Sequence, residues 1–347
     1  VKTLRVGIIG AGANSRAKHI PLLQRIADVE IVAVCNRSRE SGERVARQFG
    51  VPDVMTDWRA LVERDDLDAV VIGTWPYTHA VMTIAALAAG KHVLCEARMA
   101  ANAAEARAML DASRRTDRVA QIVPSPRLFR SHAVLRELVD SGFLGDIREI
   151  VLRDASSQYV DATAPAHWRQ RRDFSGLNVL SLGIDYEMLS RYFGYAEAVS
   201  AQMRVWTRQR PDPASGTTQA VDVPETVHVT AEMASGALAL LTWSGVAVAS
   251  EPPRLEVYGS DGTLVVDLSS ECLFVANAGE SALREVPVPE ARQGGWRVEQ
   301  DFVNSIRLGT PVTLTSFVDG VRYMEFTEAV HRSALLARHV PVDNRVD

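Results

Sequence analysis

Short, nearly continuous apolar runs recur through the first third of the chain, at Arg5–Ile9, Glu30–Cys35, Ala69–Thr74, His92–Glu96 and Val119–Val123. Strands buried on both faces read this way, whereas strands with one wet face alternate. Helix-period stretches separate the runs. The clearest covers 102–116, rich in Ala, Leu and Arg, with Asn102 as its N-cap and Glu105 three residues on. This alternation predicts a parallel sheet with helices on both faces, and right-handed crossovers make it doubly wound.

After residue 124 the pattern changes. Pro124 and Pro126 interrupt it, and a helix at Ser131–Ser141 ends at Gly142. Strand-like runs follow at Ile147–Tyr159, Ala198–Thr207, Thr226–Met233, Ala237–Trp243, Leu255–Tyr258, Thr263–Asp267 and Cys272–Val275. Ser235-Gly236 and Asp261-Gly262 are hairpin-turn signals, so this sheet is mainly antiparallel and open-faced. Pro211–Thr218 reads as a mobile loop. A closing helix carries the apolar stripe Tyr323, Phe326, Val330, Ala334 and Ala337. Apolar alternation at Val227, Val229, Ala231 and at Leu238, Leu240, Thr242 predicts burial. A homodimer or homotetramer through the exposed sheet face follows as an expectation. The 347 residues correspond to roughly two domains, placed at 1–124 and 125–347, with the closing helix free to pack back on the first.

Composition mainly excludes. Hydrophobic residues make up 47% and charged residues 23%, a mixture that suits neither a disordered chain nor a membrane protein. No apolar run approaches the roughly 18 residues of a bilayer-spanning helix. The run Val6–Ile9 is cut off by Gly10, too short for the core of a signal peptide. Thirty-eight basic against 43 acidic residues give a charge of −5, with no global attraction to nucleic acid or anionic lipid. Cys35, Cys95 and Cys272 are odd in number and far apart, so neither a disulfide framework nor a zinc site can be drawn from them. No metal site is readable, and a cytoplasmic setting is the default.

Candidate chemistry begins where the first strand ends. Gly10-Ala11-Gly12-Ala13-Asn14-Ser15 lies between that strand and a helix, the context of a dinucleotide-binding turn. Gly10 permits the tight turn, Gly12 lets backbone approach a pyrophosphate, and Ser15 stands where a third glycine is usual. The second strand ends in Cys35-Asn36-Arg37-Ser38. NAD sites usually carry Asp or Glu here, on the ribose 2′-hydroxyl. Asn36 removes that charge, Arg37 offers a guanidinium for a 2′-phosphate, and Ser38 offers a hydroxyl. NADP is therefore the expected cofactor, with NAD the alternative.

These features, with others further along, resemble the Gfo/Idh/MocA oxidoreductases, the glucose–fructose oxidoreductase and inositol dehydrogenase family. Val6–Ser15 with His19-Ile20-Pro21 is similar to the family's opening. Thr74-Trp75-Pro76-Tyr77-Thr78-His79 resembles its T-P-P-x-x-H segment, with Trp75 replacing a proline. Lys91–Glu96 matches the approach to its E-K-P motif, Trp168-Arg169 a pair near the cofactor, and Gly259–Thr263 its hairpin. The resemblance implies a Rossmann domain followed by an α+β domain with an open-faced antiparallel sheet. It implies a sugar, polyol or carbohydrate-derived acid or ketone as substrate, held over the nicotinamide. It marks Thr74, Trp75, Pro76, His79, Glu96, Trp168 and Arg169 as cofactor contacts.

The catalytic positions depart from that pattern. E-K-P reads Glu96-Ala97-Arg98, and Ala97 cannot supply the lysine's proton. Arg98 could orient or polarise a substrate but does not deprotonate. The family's Asp-x-x-x-His reads Ser181-Leu182-Gly183-Ile184-Asp185, which puts Asp185 in the position of the histidine. Asp185 can exchange the substrate proton only if burial or a neighbouring charge raises its pKa; capping a helix is its other reading. His167, before Trp168-Arg169, is a second acid–base candidate. Arg171 and Tyr186 are candidate substrate contacts. The remaining histidines lack ligand spacing.

Three functions compete. The first is an NAD(P)-dependent oxidoreductase transferring hydride to or from a carbohydrate-like substrate. The second is a redox-neutral lyase or glycoside-cleaving enzyme with tightly bound cofactor. The third is a non-catalytic dinucleotide- or sugar-binding protein, which the absent lysine and histidine keep open.

Overall fold

A computed structural model describes residues 2–213 and 215–346, which fall into two compact units. The first comprises residues up to Pro124 together with Arg297–Met324, and the second comprises Ser125–Trp296 and the residues from Glu325 onward. A single boundary at 124 would give everything after it to the second domain. Instead, the stretch from Arg297 to Met324 returns to the first unit.

The first unit holds six strands: β1 (Leu4–Ile9), β2 (Val29–Cys35), β3 (Asp53–Met55), β4 (Ala69–Ile72), β5 (His92–Cys95) and β6 (Ala120–Ile122). All pair in parallel, in the order β3-β2-β1-β4-β5-β6, so β1 sits where the order reverses. That is the doubly wound arrangement, in which ligands bind beyond the carboxyl ends of the strands at the reversal. Val6, Ile8, Val70, Val71, Val93 and Leu94 are fully buried, as their unbroken apolar runs require. Helix Ala103–Ser113 starts as expected: the Asn102 side chain accepts from the Glu105 amide at 2.9 Å.

The second unit is built on a nine-stranded sheet. Its strands are β7 (Ile147–Ala155), β8 (Ala196–Arg204), β11 (Thr226–Met233), β12 (Leu238–Ser244), β13 (Arg254–Gly259), β14 (Gly262–Asp267), β15 (Leu273–Asn277), β16 (Arg284–Val286) and β17 (Val340–Pro341). Every pairing is antiparallel except β7 with β12. Alternation sorts the faces. Val227, Val229, Ala231, Leu241 and Trp243 are buried on one side, while Leu238 is 62% and Leu240 46% exposed on the other. The two apolar rows singled out in the sequence therefore face opposite ways, and only the Leu238/Leu240 row lies open.

Two expectations are corrected. The stretch 211–218 lies only partly in a connection: β9 (Gln209–Asp212) and β10 (Thr217–Ala220) take its two ends and pair as a hairpin, with Ala214 outside the described residues. Helix Phe317–Leu336 buries Tyr323, Phe326 and Val330, but Ala337 lies past its end, exposed, with φ +49°.

Candidate active site

In the first unit the turn after β1 is shaped by what cannot fit. Gly10 has φ +82°, and a Cβ there would lie 2.6 Å from Thr74 Cγ2 and 2.8 Å from the Thr74 amide nitrogen. At Gly73 a Cβ would come within 2.3 Å of Ser15 Oγ and 2.6 Å of the Gly10 carbonyl oxygen. Ser15 is buried and donates to that same carbonyl at 3.1 Å. The serine at the third-glycine position is thus tolerated because Gly73 gives up its side chain. Beside Gly12, by contrast, an added Cβ meets only the Gly73 carbonyl, at 3.8 Å, and both Gly12 and Ala13 are exposed. A helical run from Ala13 to Leu23 follows. This bare turn fits a pyrophosphate. Gly73→Ala is expected to lower stability by about 1–3 kcal/mol through overpacking and to weaken cofactor binding, read by melting temperature and titration.

The end of β2 divides its polar groups between structure and solvent. Asn36 is buried, accepting from the Ala11 amide at 2.8 Å and donating to Ser41 Oγ at 2.7 Å. Ser38 caps helix Arg39–Phe49. Arg37 is exposed, its guanidinium 5.8 Å from the ring centroid of Trp75. Trp75 precedes Pro76, the first residue of helix Pro76–Ala88. His79 in that helix is fully buried between the carbonyls of Arg98 and Thr74, at 2.9 and 3.1 Å, and burial lowers its pKa.

Behind the turn lies a group of charges that the sequence did not disclose. His19 is 0% exposed, with Nε2 2.8 Å from Glu96 Oε1 and Nδ1 2.6 Å from Glu299 Oε1. Asn14, in the glycine turn, also donates to Glu96 Oε1, and the Ala97 amide donates to Oε2 at 3.2 Å. Burial alone would lower the His19 pKa, but the hydrogen bonds to Glu299 and Glu96 raise it to about 9. Burial would likewise raise Glu96, yet the bonds from His19 and Asn14 hold it below the usual carboxylate range. Arg98 is buried, not at the surface.

In the second unit, Trp168 and Arg169 sit in a single helical turn capped by His167, whose Nδ1 accepts from the Arg169 amide at 3.2 Å. His167 and Arg169 are exposed, and the Arg169 guanidinium lies 4.3 Å from the Trp168 ring centroid. Burial, then the Arg169 charge, lowers the His167 pKa. Arg171 pairs with Asp173 and stacks on Phe174 at 4.1 Å. The loop is moored from beneath. Gln170 accepts from the His167 amide and donates to Glu225, which also ion-pairs with Arg210 at 3.2 Å, both partners nearly fully buried.

Asp185, in the first turn of helix Leu182–Phe193, is fully buried beneath the inner face of the sheet. Trp243 Nε1 donates to its Oδ2 at 2.8 Å. Arg127 places Nε 2.8 Å from Asp185 Oδ1, and donates through Nη2 to Asp154 Oδ2 at 2.8 Å. One guanidinium thus bridges two carboxyl groups, and Asp154 is close enough to hydrogen-bond Asp185. Burial is the largest cause raising Asp185 to about 7; Arg127 opposes the shift and Asp154 adds to it. Only the Asp154–Arg127 end of the group is partly exposed. Tyr186 turns the other way, into the core. Its ring stacks on Phe326 at 3.6 Å, and its hydroxyl accepts from the Ala196 amide.

Comparison with known proteins bears on both units. Residues 4–123 match the model of the Gfo/Idh/MocA oxidoreductase family with an NAD-binding Rossmann fold, and 132–265 match the Gfo/Idh/MocA C-terminal domain. The chain belongs to the Gfo/Idh/MocA oxidoreductase family. Levoglucosan dehydrogenase from Pseudarthrobacter phenanthrenivorans is 26% identical over 96% of this chain and 97% of that protein. Myo-inositol 2-dehydrogenase from Thermotoga maritima is 27% identical over 78% of each chain. A solved levoglucosan dehydrogenase in complex with NADH and L-sorbose superposes with a TM-score of 0.86 at 26% identity, covering 99% of both chains.

As a Gfo/Idh/MocA member the chain is an NAD-binding-type oxidoreductase, and the reading as a non-catalytic binding protein is set aside. Of the cofactor positions expected in a Gfo/Idh/MocA chain, the first unit brings together Gly10–Ser15, Thr74, Trp75, Asn36 and Glu96. In the second, His167, Trp168 and Arg169 share one turn, while Asp185 and Tyr186 point to different surroundings. The sequence alone does not single out His19, Glu299, Arg127, Asp154 or Trp243 as site residues. Only His19 carried a signal, in His19-Ile20-Pro21; the partners lie far off in sequence.

Proposed function

We propose that the chain is an NADP(H)-preferring oxidoreductase that moves hydride between nicotinamide and a carbon of a sugar-like substrate. What chiefly supports NADP over NAD is the end of β2. No carboxylate stands there, the Asn36 amide is committed to Ala11 and Ser41, and the exposed Arg37 is left facing Trp75. A guanidinium there can bind a 2′-phosphate and cover adenine. The Gly10–Ser15 turn would hold the pyrophosphate, and Thr74, Trp75, Pro76 and Glu96 would complete the cofactor contacts. Titration of cofactor fluorescence tests this. NADPH should bind more tightly than NADH, and Arg37→Ala should remove about 1.5–3 kcal/mol from NADPH alone. Equal affinities in the wild type would count against it.

When bound, the dinucleotide accepts or donates the hydride; the chain must handle the proton. Ala97 cannot, and the guanidinium of Arg98 is no base. We assign the proton to Asp185 acting with Asp154: an alcohol losing hydride gives up its O–H proton to the ionised pair, and the reverse reaction returns it. Support comes from the Arg127 bridge and from a carboxyl raised to about 7, where one proton moves readily at neutral pH. Trp243 and Arg127 orient the pair. His167 is the alternative, and Trp168, Arg169 and Arg171 offer a surface for a polyhydroxylated substrate. Levoglucosan dehydrogenase and the inositol dehydrogenase support the substrate class.

A second copy of the chain would cover the open face of the second unit's sheet, where Leu238 and Leu240 stand exposed among polar neighbours. Sedimentation should report a dimer or tetramer at micromolar concentration, and Leu238→Glu with Leu240→Glu should shift it toward monomer. A wild-type monomer would refute this assembly. Cytoplasmic location remains the expectation from the cysteine pattern.

A further inference from the structure

The His19 cluster belongs to the first unit, whereas the carboxyl pair assigned the proton belongs to the second. Its geometry fixes its charge state. A neutral imidazole has one N–H and one lone pair, so it can donate to only one carboxylate. Both His19 nitrogens face carboxylate oxygens, at 2.6 and 2.8 Å, with the ring fully buried. With both carboxyls ionised, only the imidazolium satisfies both. A second carboxylate from helix Val298–Leu308, on the segment that returns to the first unit, is therefore what makes the ring a cation.

The consequence falls on Glu96. Its side chain is 14% exposed, its Oε1 is held by His19 and Asn14, and its Oε2 takes the Ala97 amide at 3.2 Å. A carboxylate so enclosed would take up a proton without a fixed cation. Protonated, it would lose acceptor capacity and its pull on a donor. We propose that Glu299 and His19 are positioning residues of the cofactor site, Glu299 holding His19 charged and His19 holding Glu96 ionised as the acceptor for a hydroxyl of the bound dinucleotide. The proposal rests on the reading of Glu96 as a cofactor contact. It assigns the far C-terminal segment a part in dinucleotide binding, carried through two side chains rather than by touching the ligand. Other titratable groups near the cluster are His79 and Cys95, beside Glu96, and Asp301, beside Glu299.

The test measures NADH affinity by fluorescence titration at pH 8 and pH 6 for the full chain and for Glu96→Gln, His19→Gln and Glu299→Gln. NADH avoids titration of a 2′-phosphate. All three variants should bind about ten-fold more weakly at pH 8. Glu299→Gln should recover toward wild type at pH 6, where an imidazole with one carboxylate partner regains its proton. His19→Gln should stay weak at both. Packing damage alone would not produce that recovery. Wild-type affinity in Glu299→Gln, with loss in Glu96→Gln, would overturn the proposal and leave Glu96 a cofactor contact. Wild-type affinity in Glu96→Gln would overturn that underlying reading, and the proposal with it. Should Glu299→Gln not fold, nitrogen-15 histidine spectra of the unaltered protein decide. His19 should carry protons on both ring nitrogens at pH 8, and a neutral ring there would overturn the proposal.

Discussion

Asp185→Asn is expected to lower kcat by about 10²–10⁴-fold, the range for loss of a general acid–base group, with cofactor affinity nearly unchanged. Asp154→Asn should do the same, because Arg127 binds the two carboxyls as one unit. In the wild type, kcat for alcohol oxidation should rise as pH climbs through about 7, since the ionised pair accepts the proton. That step should vanish in either variant. Stability moves the opposite way. The folded Asp185 holds its proton up to about pH 7, whereas the unfolded group loses it near 3.8. Between those values the folded state binds the extra proton, so this group's contribution to stability falls as pH rises. Asp185→Asn should therefore gain stability relative to wild type between pH 4 and 8, seen in melting temperatures. Activity lost without stability lost is the signature that separates a proton-handling carboxyl from a helix cap. If both Asn variants keep full turnover, His167→Gln becomes the next variant to assay.

Glu225→Ala should destabilise the fold by about 3–5 kcal/mol, the cost of removing one partner of a buried ion pair. Glu225 is fully buried and takes Gln170 Nε2 at 2.9 Å, the amides of Trp206 and Thr207 at 3.0 and 2.9 Å, and Arg210 at 3.2 Å. Its loss strands the Arg210 charge and three further donors. Denaturant unfolding measures the change. A loss under about 1 kcal/mol would mean that water or neighbouring carbonyls replace the carboxylate. Gln170 ties this network to the turn carrying Trp168 and Arg169, so activity should fall along with stability.

What could be read from the sequence follows from where the physics is local. Strands β1, β2, β4, β5 and β6 announced themselves because burial on both faces leaves an apolar run, and β11 came out residue for residue because its alternation is strict. β3 was missed: it has three residues, lies at the sheet edge and has no fully buried position. β9 and β10 leave no signal because four residues each, three of them polar, give no period. The glycine turn was legible, since Gly10 must adopt positive φ in one defined place. Asn36 was read by its missing charge, while its amide, spent on Ala11, needed coordinates. His19 with Glu299 and Arg127 with Asp185 are separated by 280 and 58 residues, and only the folded chain brings each pair together.

The central claim, net hydride transfer coupled to a sugar-like substrate, is tested most directly by nicotinamide absorbance. The purified chain would be mixed with excess NADP⁺ and a panel of sugars, polyols and sugar acids. NADPH should accumulate in step with oxidised product over many turnovers for at least one of them, faster than with NAD⁺. Product formed with no net NADPH, or cofactor bound with no turnover across the panel in either direction, would contradict it.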